Sequence, residues 1–328
     1  MPCLINAHLH LELSALKNAL SFEHGFTAWV RELLVKREAM SPDTLRAAAK
    51  KAAAQLIPQG VGVIGEISTL GITREQFTSL DLAGVWFQEI LGGVLPDYDL
   101  EKSGNLSCSL AGHAPHTTAP DVLKALKTQT LSHSHMFSIH VAESRAESEF
   151  MDTGKGQWAD FLISRGIAIS SWPVGNTTPV QYLCKLGLLD AKTLAVHLLR
   201  ANDMDFKLIS ETNTRVCICP RSNYNLHRQL PDIPRMLARK ISPALGTDSL
   251  ASCDSLSIFD EMAFVRSHYP DIDPGTVLAM ATTNGASALG LDDEFGSLDP
   301  GRRATFLYTD RYFSDTTQVL ESLTHNAT

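Results

Sequence analysis

The feature that most constrains the fold is a regular alternation of short apolar segments with longer segments of helical pattern. This alternation predicts a parallel sheet, because a chain that returns to the same edge of a sheet needs a crossover such as a helix. Eight segments have the pattern of strands: Leu4–Asn6, Val61–Ile67, Val85–Ile90, Leu106–Gly112, Phe137–Val141, Thr193–Val196, Val216–Cys219 and Pro243–Leu245. Eight such strands favour an α/β fold of the closed (β/α)8 TIM-barrel type over an open, doubly wound sheet.

The connections between these strands carry helix signals. Ser41 followed by Pro42 predicts the start of a helix with the body Thr44–Ile57. Thr118 is expected to cap a second helix, Pro120–Leu131. Further helices are predicted over Val180–Leu186, Asp203–Ser210, Ile233–Lys240, Ile258–Ser267 and Thr276–Leu289.

The pattern changes near the end of the chain. After Gly296 comes a turn-rich stretch and then a strand-like segment, Ala304–Thr309. We therefore predict a barrel domain over residues 1–295 and a short β appendage over residues 296–328.

Composition and charge exclude several classes of function. The 328 residues are 44% hydrophobic and 20% charged, and the net charge of −8 argues against a nucleic-acid partner. The sequence contains no run of 18 apolar residues, so no membrane span is expected. His8 and Glu12 interrupt any apolar core of a signal peptide, so we expect a cytoplasmic protein with a small-molecule substrate. The cysteines follow no disulfide framework and are expected to be reduced: Cys3, Cys108, Cys184, Cys217, Cys219 and Cys253.

Polar side chains collect where the predicted strands end. These residues are His8 and His10 after the first strand, His140 in the fifth, His197 after the sixth and Asp248 after the eighth. In a barrel of this type, the carboxyl ends of the strands form the active-site face. Because residues i and i+2 of a strand point the same way, His8 and His10 can face one ion. Three imidazoles and a carboxylate suit zinc, and iron and manganese are alternatives.

Each of these signals has an ordinary explanation when taken alone. A single His-x-His is weak evidence, as His133-x-His135 shows, because that pair lies in a polar connection and is expected to be solvated. Glu143 could simply be the first carboxylate of an acidic helix start, and we expect Glu147 and Glu149 to be solvated. What favours a metal-dependent site is the whole set of residues, in this order, on the predicted strands.

Several segments together resemble the amidohydrolase superfamily, within it the deaminase and chlorohydrolase branch. They are Asn6–Glu12, His113–Thr117, Ile139–Ser144, Ala195–His197, Cys219–Asn223, Leu245–Ser249 and Gly296–Gly301, which together span nearly the whole chain. A finer pattern, Asn6–Ser14 followed by Phe26–Val30 and Pro179–Leu183, resembles aminodeoxyfutalosine deaminases of menaquinone biosynthesis. Close relatives of that group deaminate S-adenosylhomocysteine, methylthioadenosine or 5'-deoxyadenosine.

The resemblance implies a role for each polar residue. One divalent metal ion would be bound by His8, His10, His140 and Asp248. Asp248 would also take a proton from the attacking water, while His197 would orient that water, although in binuclear relatives this histidine can be a ligand. Glu143 would protonate the ring nitrogen beside the attacked carbon. The implied enzyme is a hydrolase of C–N bonds other than peptide bonds, which deaminates an adenine-type nucleoside derivative by attack of metal-bound hydroxide.

Substrate contacts are expected from His113, Arg145, Arg221, Glu12 and Ser249. His113 resembles a substrate ligand of the family, whereas His116 stands where relatives usually carry Tyr. Either arginine could meet a carboxylate through a bidentate contact or could be an ordinary surface charge. Trp29 is expected to pack more than to contact substrate.

One departure from the family pattern concerns the N-terminus. Only seven residues precede His8, whereas relatives carry a longer segment that builds most of a small β-sandwich. Either the chain is a compact variant or the natural protein starts further upstream. A missing sandwich would expose apolar surface that a homodimer could cover, and it would weaken metal retention by the first strand. Alternatives to the nucleoside deaminase are a related hydrolase of guanine, a pyrimidine or a chlorinated triazine, and an inert truncated barrel.

Overall fold

The computed structural model describes residues 1–74, 80, 82–95, 100, 105–170 and 172–325. Its centre is one parallel sheet of eight strands that follow one another in chain order. The strands are β1 (Leu4–Leu9), β2 (Val61–Ser68), β3 (Ala83–Ile90), β4 (Leu106–Gly112), β5 (Phe137–Val141), β6 (Thr193–His197), β7 (Arg215–Ile218) and β8 (Ala244–Leu245). A parallel bridge between Leu9 and Asp248 joins β1 to the segment that follows β8. The predicted (β/α)8 barrel is thereby confirmed.

Hydrogen bonds beyond β8 complete the closure of the barrel. The backbone N–H groups of Thr247 and Asp248 both donate to the carbonyl of His8, at 3.1 Å each. Since β1 pairs with β2 and also meets the segment after β8, it extends to Leu9 and includes His8. The predicted first strand was therefore too short.

The helices occupy the connections between the strands. They are α1 (Phe26–Glu38), α2 (Pro42–Ala53), α3 (Pro120–Ser132), α4 (Arg145–Thr153), α5 (Gln157–Ser164), α6 (Pro179–Lys185), α7 (Asp203–Glu211), α8 (Pro220–His227), α9 (Ile233–Ala238), α10 (Ile258–His268), α11 (Pro274–Met280), α12 (Thr283–Leu289) and α13 (Thr316–His325). A 3-10 helix, Leu11–Leu16, follows β1 directly. None of the helices in the described part of the chain has both the length and the apolar character needed to cross a membrane.

Some of the predicted helix caps and bounds agree with the structure and others do not. The side chain of Ser41 accepts a hydrogen bond from the Thr44 amide at 3.2 Å, as predicted. Thr118 does not cap α3, because its hydroxyl donates to the carbonyl of Ile90 at the end of β3. The segment predicted as one helix over Thr276–Leu289 is divided into α11 and α12.

The two chain ends lie against each other. The amide of Cys3 donates to Thr305 at 3.0 Å, and the amide of Leu307 donates to Met1 at 2.9 Å. The predicted strand over Ala304–Thr309 is wrong, because the only bridge in it within the described residues is the antiparallel one between Phe306 and Pro2.

Candidate active site

Three histidine rings converge at the carboxyl end of the barrel. The Nε2 atom of His140 lies 3.2 Å from Nε2 of His8 and 3.3 Å from Nε2 of His10. Nitrogens bound to tetrahedral zinc at the usual bond length would be about 3.4 Å apart. The spacing of these ring nitrogens therefore fits one ion held in common. The sequence prediction that β1 and β5 bring these side chains together agrees with this geometry.

Burial keeps the imidazoles of His8 and His10 neutral. Burial is the main cause that lowers the pKa of His8 and His10, and neighbouring histidines lower it further, so that the pKa of His10 falls to about 3 even with Glu89 nearby. Neutral imidazole is the form that binds a metal ion, because its ring nitrogen offers a lone pair.

The fourth predicted metal ligand is the carboxylate of Asp248. Its Oδ1 lies 3.7 Å from Nε2 of His10, while its Oδ2 accepts hydrogen bonds from Ser222 Oγ at 2.5 Å and Ser252 Oγ at 3.0 Å. The backbone of Asp248 is left-handed, with φ of 59°. This conformation is uncommon for a residue with a Cβ and is found where the surrounding structure enforces it, often at functional sites.

His197 is the second strand-end residue with a left-handed backbone, at φ of 80°. Its Nδ1 lies 3.1 Å from the side-chain Nδ2 of Asn223. When this amide donates to Nδ1, the ring proton resides on Nε2, which lies 3.9 Å from Oε1 of Glu143. Burial is the main cause that lowers the pKa of His197, so the ring is neutral near pH 7.

Glu143 lies between two histidines. Its Oε1 is 3.1 Å from Nε2 of His227, in addition to its approach to His197. Burial raises the pKa of this carboxyl, but the interactions with His197 and His227 outweigh burial and leave the pKa well below its ordinary value. In the ligand-free protein Glu143 is therefore a carboxylate paired with imidazole groups.

Glu147 is buried, and the expectation that it is solvated was wrong. Its carboxylate accepts hydrogen bonds from the amides of Ala142 at 3.0 Å and Glu143 at 2.8 Å. These amides need an acceptor because the chain turns sharply after β5, where φ of Ala142 is 54°. Glu147 thus fixes the backbone that carries Glu143, whereas Glu149 is exposed as expected.

One cavity contains most of these groups. Its polar wall is formed by His10, Glu89, His113, His140, Glu143, His197, Asp248 and Ser249. Another wall comes largely from one face of α1, where the apolar Phe26, Trp29 and Leu33 follow the helical period and the charged Arg37 continues it. Trp29 is buried, in keeping with its expected packing role, and it also lines the cavity. The arrangement suits a flat ring that packs against the apolar side chains and meets the polar groups at its edge.

The predicted substrate contacts divide into two groups. His113 and Ser249 line the cavity, and Nδ1 of His113 lies 2.6 Å from Thr117 Oγ1. Three others do not line it. Glu12 is buried and accepts from Ser68 Oγ and from the amides of Thr69 and Leu70, Arg145 is exposed on α4, and Arg221 forms ion pairs with Asp254, Asp260 and Glu261.

Three residues of the site were missed at the sequence level: Glu89, Asn223 and His227. Glu89 is buried in the cavity wall with Oε1 3.4 Å from Nδ1 of His140, and its ligand atom, with those of His113 and His140, forms a second group close enough to hold an ion. A carboxylate in the largely apolar strand β3 was the available signal. Asn223 ends the segment Cys219–Asn223, which resembles the family, but the sequence pattern indicated no role for its side chain.

Comparison with known proteins agrees with the fold and identifies the family. The model of the amidohydrolase family matches residues 86–327. An aminodeoxyfutalosine deaminase of Deinococcus radiodurans is 30% identical, over 88% of this chain and 73% of that protein. A 5-methylthioadenosine/S-adenosylhomocysteine deaminase of Haloarcula marismortui is 27% identical, over 94% of this chain and 72% of that protein.

A solved structure extends this likeness to three dimensions. The crystal structure of Helicobacter pylori aminofutalosine deaminase in complex with methylthio-coformycin has a TM-score of 0.83 and 25% sequence identity to this protein. The match covers 99% of this chain and 82% of the other. With a family model over most of its length and a relative at 30% identity, the chain belongs to the amidohydrolase family.

Proposed function

We propose that this protein is a metal-dependent aminohydrolase that deaminates an adenine-type nucleoside derivative. One observation carries the proposal: Glu143, His197 and Asp248 stand around the same cavity as the converging histidines, so an acid, a water-orienting group and a base surround one point. The names of the similar relatives support the nucleoside class, with aminodeoxyfutalosine as the first substrate to test.

We propose zinc as the ion, held by His8, His10, His140 and Asp248. The donor set of imidazoles with one carboxylate and the spacing of the ring nitrogens favour zinc, with iron and manganese as the alternatives that metal analysis would reveal. When bound, such an ion acts as a Lewis acid and lowers the pKa of a coordinated water.

Asp248 and His197 act on the attacking water. Asp248 has Oδ2 fixed by two serine hydroxyls, so Oδ1 is available to accept a proton from that water. His197 donates from Nε2 to the water oxygen and thereby holds it in line with the substrate carbon, because Asn223 keeps the ring oriented through Nδ1.

Glu143 acts on the substrate ring. As a carboxylic acid it protonates the ring nitrogen next to the attacked carbon, which makes that carbon more electrophilic. The proton taken by Asp248 passes to the amino group, and the C–N bond breaks to release ammonia. The remaining hydroxyl proton returns to Glu143 as the new carbonyl forms, so each turnover consumes one water and leaves the carboxyl protonated as it began.

The test is ammonia release from aminodeoxyfutalosine, S-adenosylhomocysteine, methylthioadenosine and adenosine. Zinc-loaded protein is used, and its metal content is measured in the same preparation. Glu143→Gln should lose about 10²- to 10⁴-fold in kcat with the metal retained. Glu149→Gln, an exposed change two positions beyond Glu147, is the matched control and should keep full activity.

Two outcomes would overturn this proposal. Stoichiometric metal without ammonia release from any of these nucleosides would point to a hydrolase of another substrate or leaving group. Protein that fails to take up zinc, iron or manganese would contradict the metal dependence itself.

A further inference from the structure

His227 connects the active-site cavity to a second, outer cavity. Its side chain is 5% exposed and its ring packs against Phe26, with ring centroids 4.8 Å apart. Glu143 lines the active-site cavity, whereas His227 lines the outer one. The 3.1 Å contact between Nε2 of His227 and Oε1 of Glu143 therefore crosses the wall between them.

The outer cavity is polar and wide enough for many water molecules, with a volume of about 840 Å³. Its charged and titratable groups come from several elements around His227: His24 before α1, Arg31 on α1, Arg145 and Glu149 on α4, Asp160 on α5 and Arg200 after β6. Water in this cavity has access to His227 from the side opposite the substrate. His227 can thus be reached by water from the outer cavity while substrate covers the active-site cavity.

The proposed chemistry requires Glu143 to be a carboxylic acid once substrate is bound. In the ligand-free protein the same carboxyl faces two imidazoles, an environment that favours the carboxylate. A proton must therefore reach the carboxyl when the complex forms, and His227 is the titratable donor in hydrogen-bond contact with it.

We propose that His227 is the positioning residue that holds the catalytic proton for Glu143, an inference that rests on the deaminase function proposed above. In the free enzyme the pair consists of the His227 imidazolium and the Glu143 carboxylate. When substrate binds, the proton on Nε2 passes to Oε1, which leaves a neutral imidazole and a carboxylic acid. After product leaves, the proton returns to Nε2, so the pair holds one proton throughout and no other reactant is needed.

The experiment compares pH profiles of kcat/KM for zinc-loaded wild type, His227→Gln, His227→Ala and the control His24→Gln. His24 is exposed and also lines the outer cavity, and among the described residues no hydrogen bond or ion pair joins it to Glu143. In His227→Gln, which can still donate a hydrogen bond, kcat/KM at pH 7.5 should fall about 10- to 100-fold. Its activity should recover toward lower pH, where Glu143 takes its proton directly from solvent.

Added imidazole supplies a second measurement. It should enter the outer cavity and restore part of the activity of His227→Ala, but not that of Glu143→Gln. A His227→Gln profile equal to wild type would overturn the inference, as would a uniform loss at all pH values without imidazole rescue, which is the signature of a purely structural role. Absence of turnover by wild type itself would instead contradict the proposed function.

Discussion

At the scale of single residues, α8 is the main support of the site. Ser222 donates to Asp248, Asn223 contacts His197, and His227 contacts Glu143. Asn223 and His227 are four positions apart, so both project from the same face of this short helix. One helix thus orients three side chains that come from three different strand ends.

Asn223→Ala tests this support directly. Without the side-chain amide the imidazole of His197 can rotate and change tautomer, and we expect kcat to fall about 10- to 100-fold, as for comparable outer contacts of metal-site histidines. Zinc content should not change, because His197 is not one of the proposed ligands. Steady-state kinetics with metal analysis measures both, and loss of zinc together with activity would contradict this assignment.

At the scale of elements, the first strand depends on close packing against α12. A Cβ added at Gly285 would lie 2.8 Å from Cβ of Ile5 and 2.9 Å from its Cγ2. Contacts this short are not tolerated in a packed interior, and Ile5 is fully buried in the strand that continues to His8 and His10. The helix can approach the strand this closely only because residue 285 lacks a side chain.

Gly285→Ala should therefore destabilise the protein although alanine favours helix. Overpacking costs about 1–3 kcal/mol and the gain in helix propensity is about 1 kcal/mol, so we expect a loss of up to about 2 kcal/mol in the free energy of unfolding. Gly275→Ala is the control, because its new Cβ would come close only to the exposed end of the Asp273 side chain, with Oδ2 at 2.8 Å, and its other neighbours would be 3.9 Å away. Denaturant unfolding compares the two, and an equally stable Gly285→Ala would refute the packing argument.

A second element-scale contact joins α10 to α8. Glu261 is fully buried, accepts a hydrogen bond from the Arg221 amide at 3.2 Å, and lies 3.8 Å from the Arg221 guanidinium. Burial raises the pKa of Glu261 from 4.5 to about 8, although the charge of Arg221 opposes the shift. Arg221 was predicted to contact substrate, whereas in the structure its guanidinium lies beside the acidic side chains of Asp254, Asp260 and Glu261.

The raised pKa of Glu261 predicts a pH-dependent stability. The folded protein keeps this proton up to about pH 8, while the unfolded chain loses it near 4.5, so the folded state binds more protons between these values. The contribution is fully present below pH 4.5 and is lost as the pH rises to 8. Glu261→Gln should flatten the fall in unfolding free energy between pH 5 and 8, and the exposed change Glu211→Gln should not. Parallel slopes in all three proteins would contradict the shift.

At the scale of the whole molecule, the proposed metal ligands come from both ends of the barrel chain. His8 and Asp248 are separated by most of the sequence, yet the segment after β8 is hydrogen-bonded to β1. An ion bound there would hold the first and last strands together in the folded state only. Metal binding and barrel closure should therefore be coupled.

Zinc should accordingly raise the melting temperature. At a free zinc concentration 1,000 times the Kd, binding adds about 4 kcal/mol to the free energy of unfolding, because the unfolded chain lacks the assembled site. Calorimetry of chelator-treated and zinc-loaded protein measures the shift, which should vanish in His8→Ala. It should persist in His133→Ala, because His133 is exposed and does not line the cavity. Equal melting temperatures with and without zinc would exclude a site of the proposed kind.

Two larger-scale expectations stay predictions: the boundary between residues 295 and 296, and the homodimer. The segment after the barrel carries largely exposed aromatic side chains, Tyr308 at 84% and Tyr312 at 92%. Its backbone nevertheless forms hydrogen bonds with residues 1–3, so this segment packs against the start of β1.

The residue pattern was enough to predict the barrel and the residues at its strand ends. Apolar runs and the two-residue period of a strand are local properties, so they identify β1 and β5 and the shared direction of His8 and His10. No local sequence pattern indicated three other features: the burial of Glu147, the ion pairs of Arg221, and the contact between His227 and Glu143. Each of these contacts joins residues of loops and helices that come together only in the closed barrel. No repeating pattern in the sequence relates the positions of such residues, so the contacts could not be predicted from it.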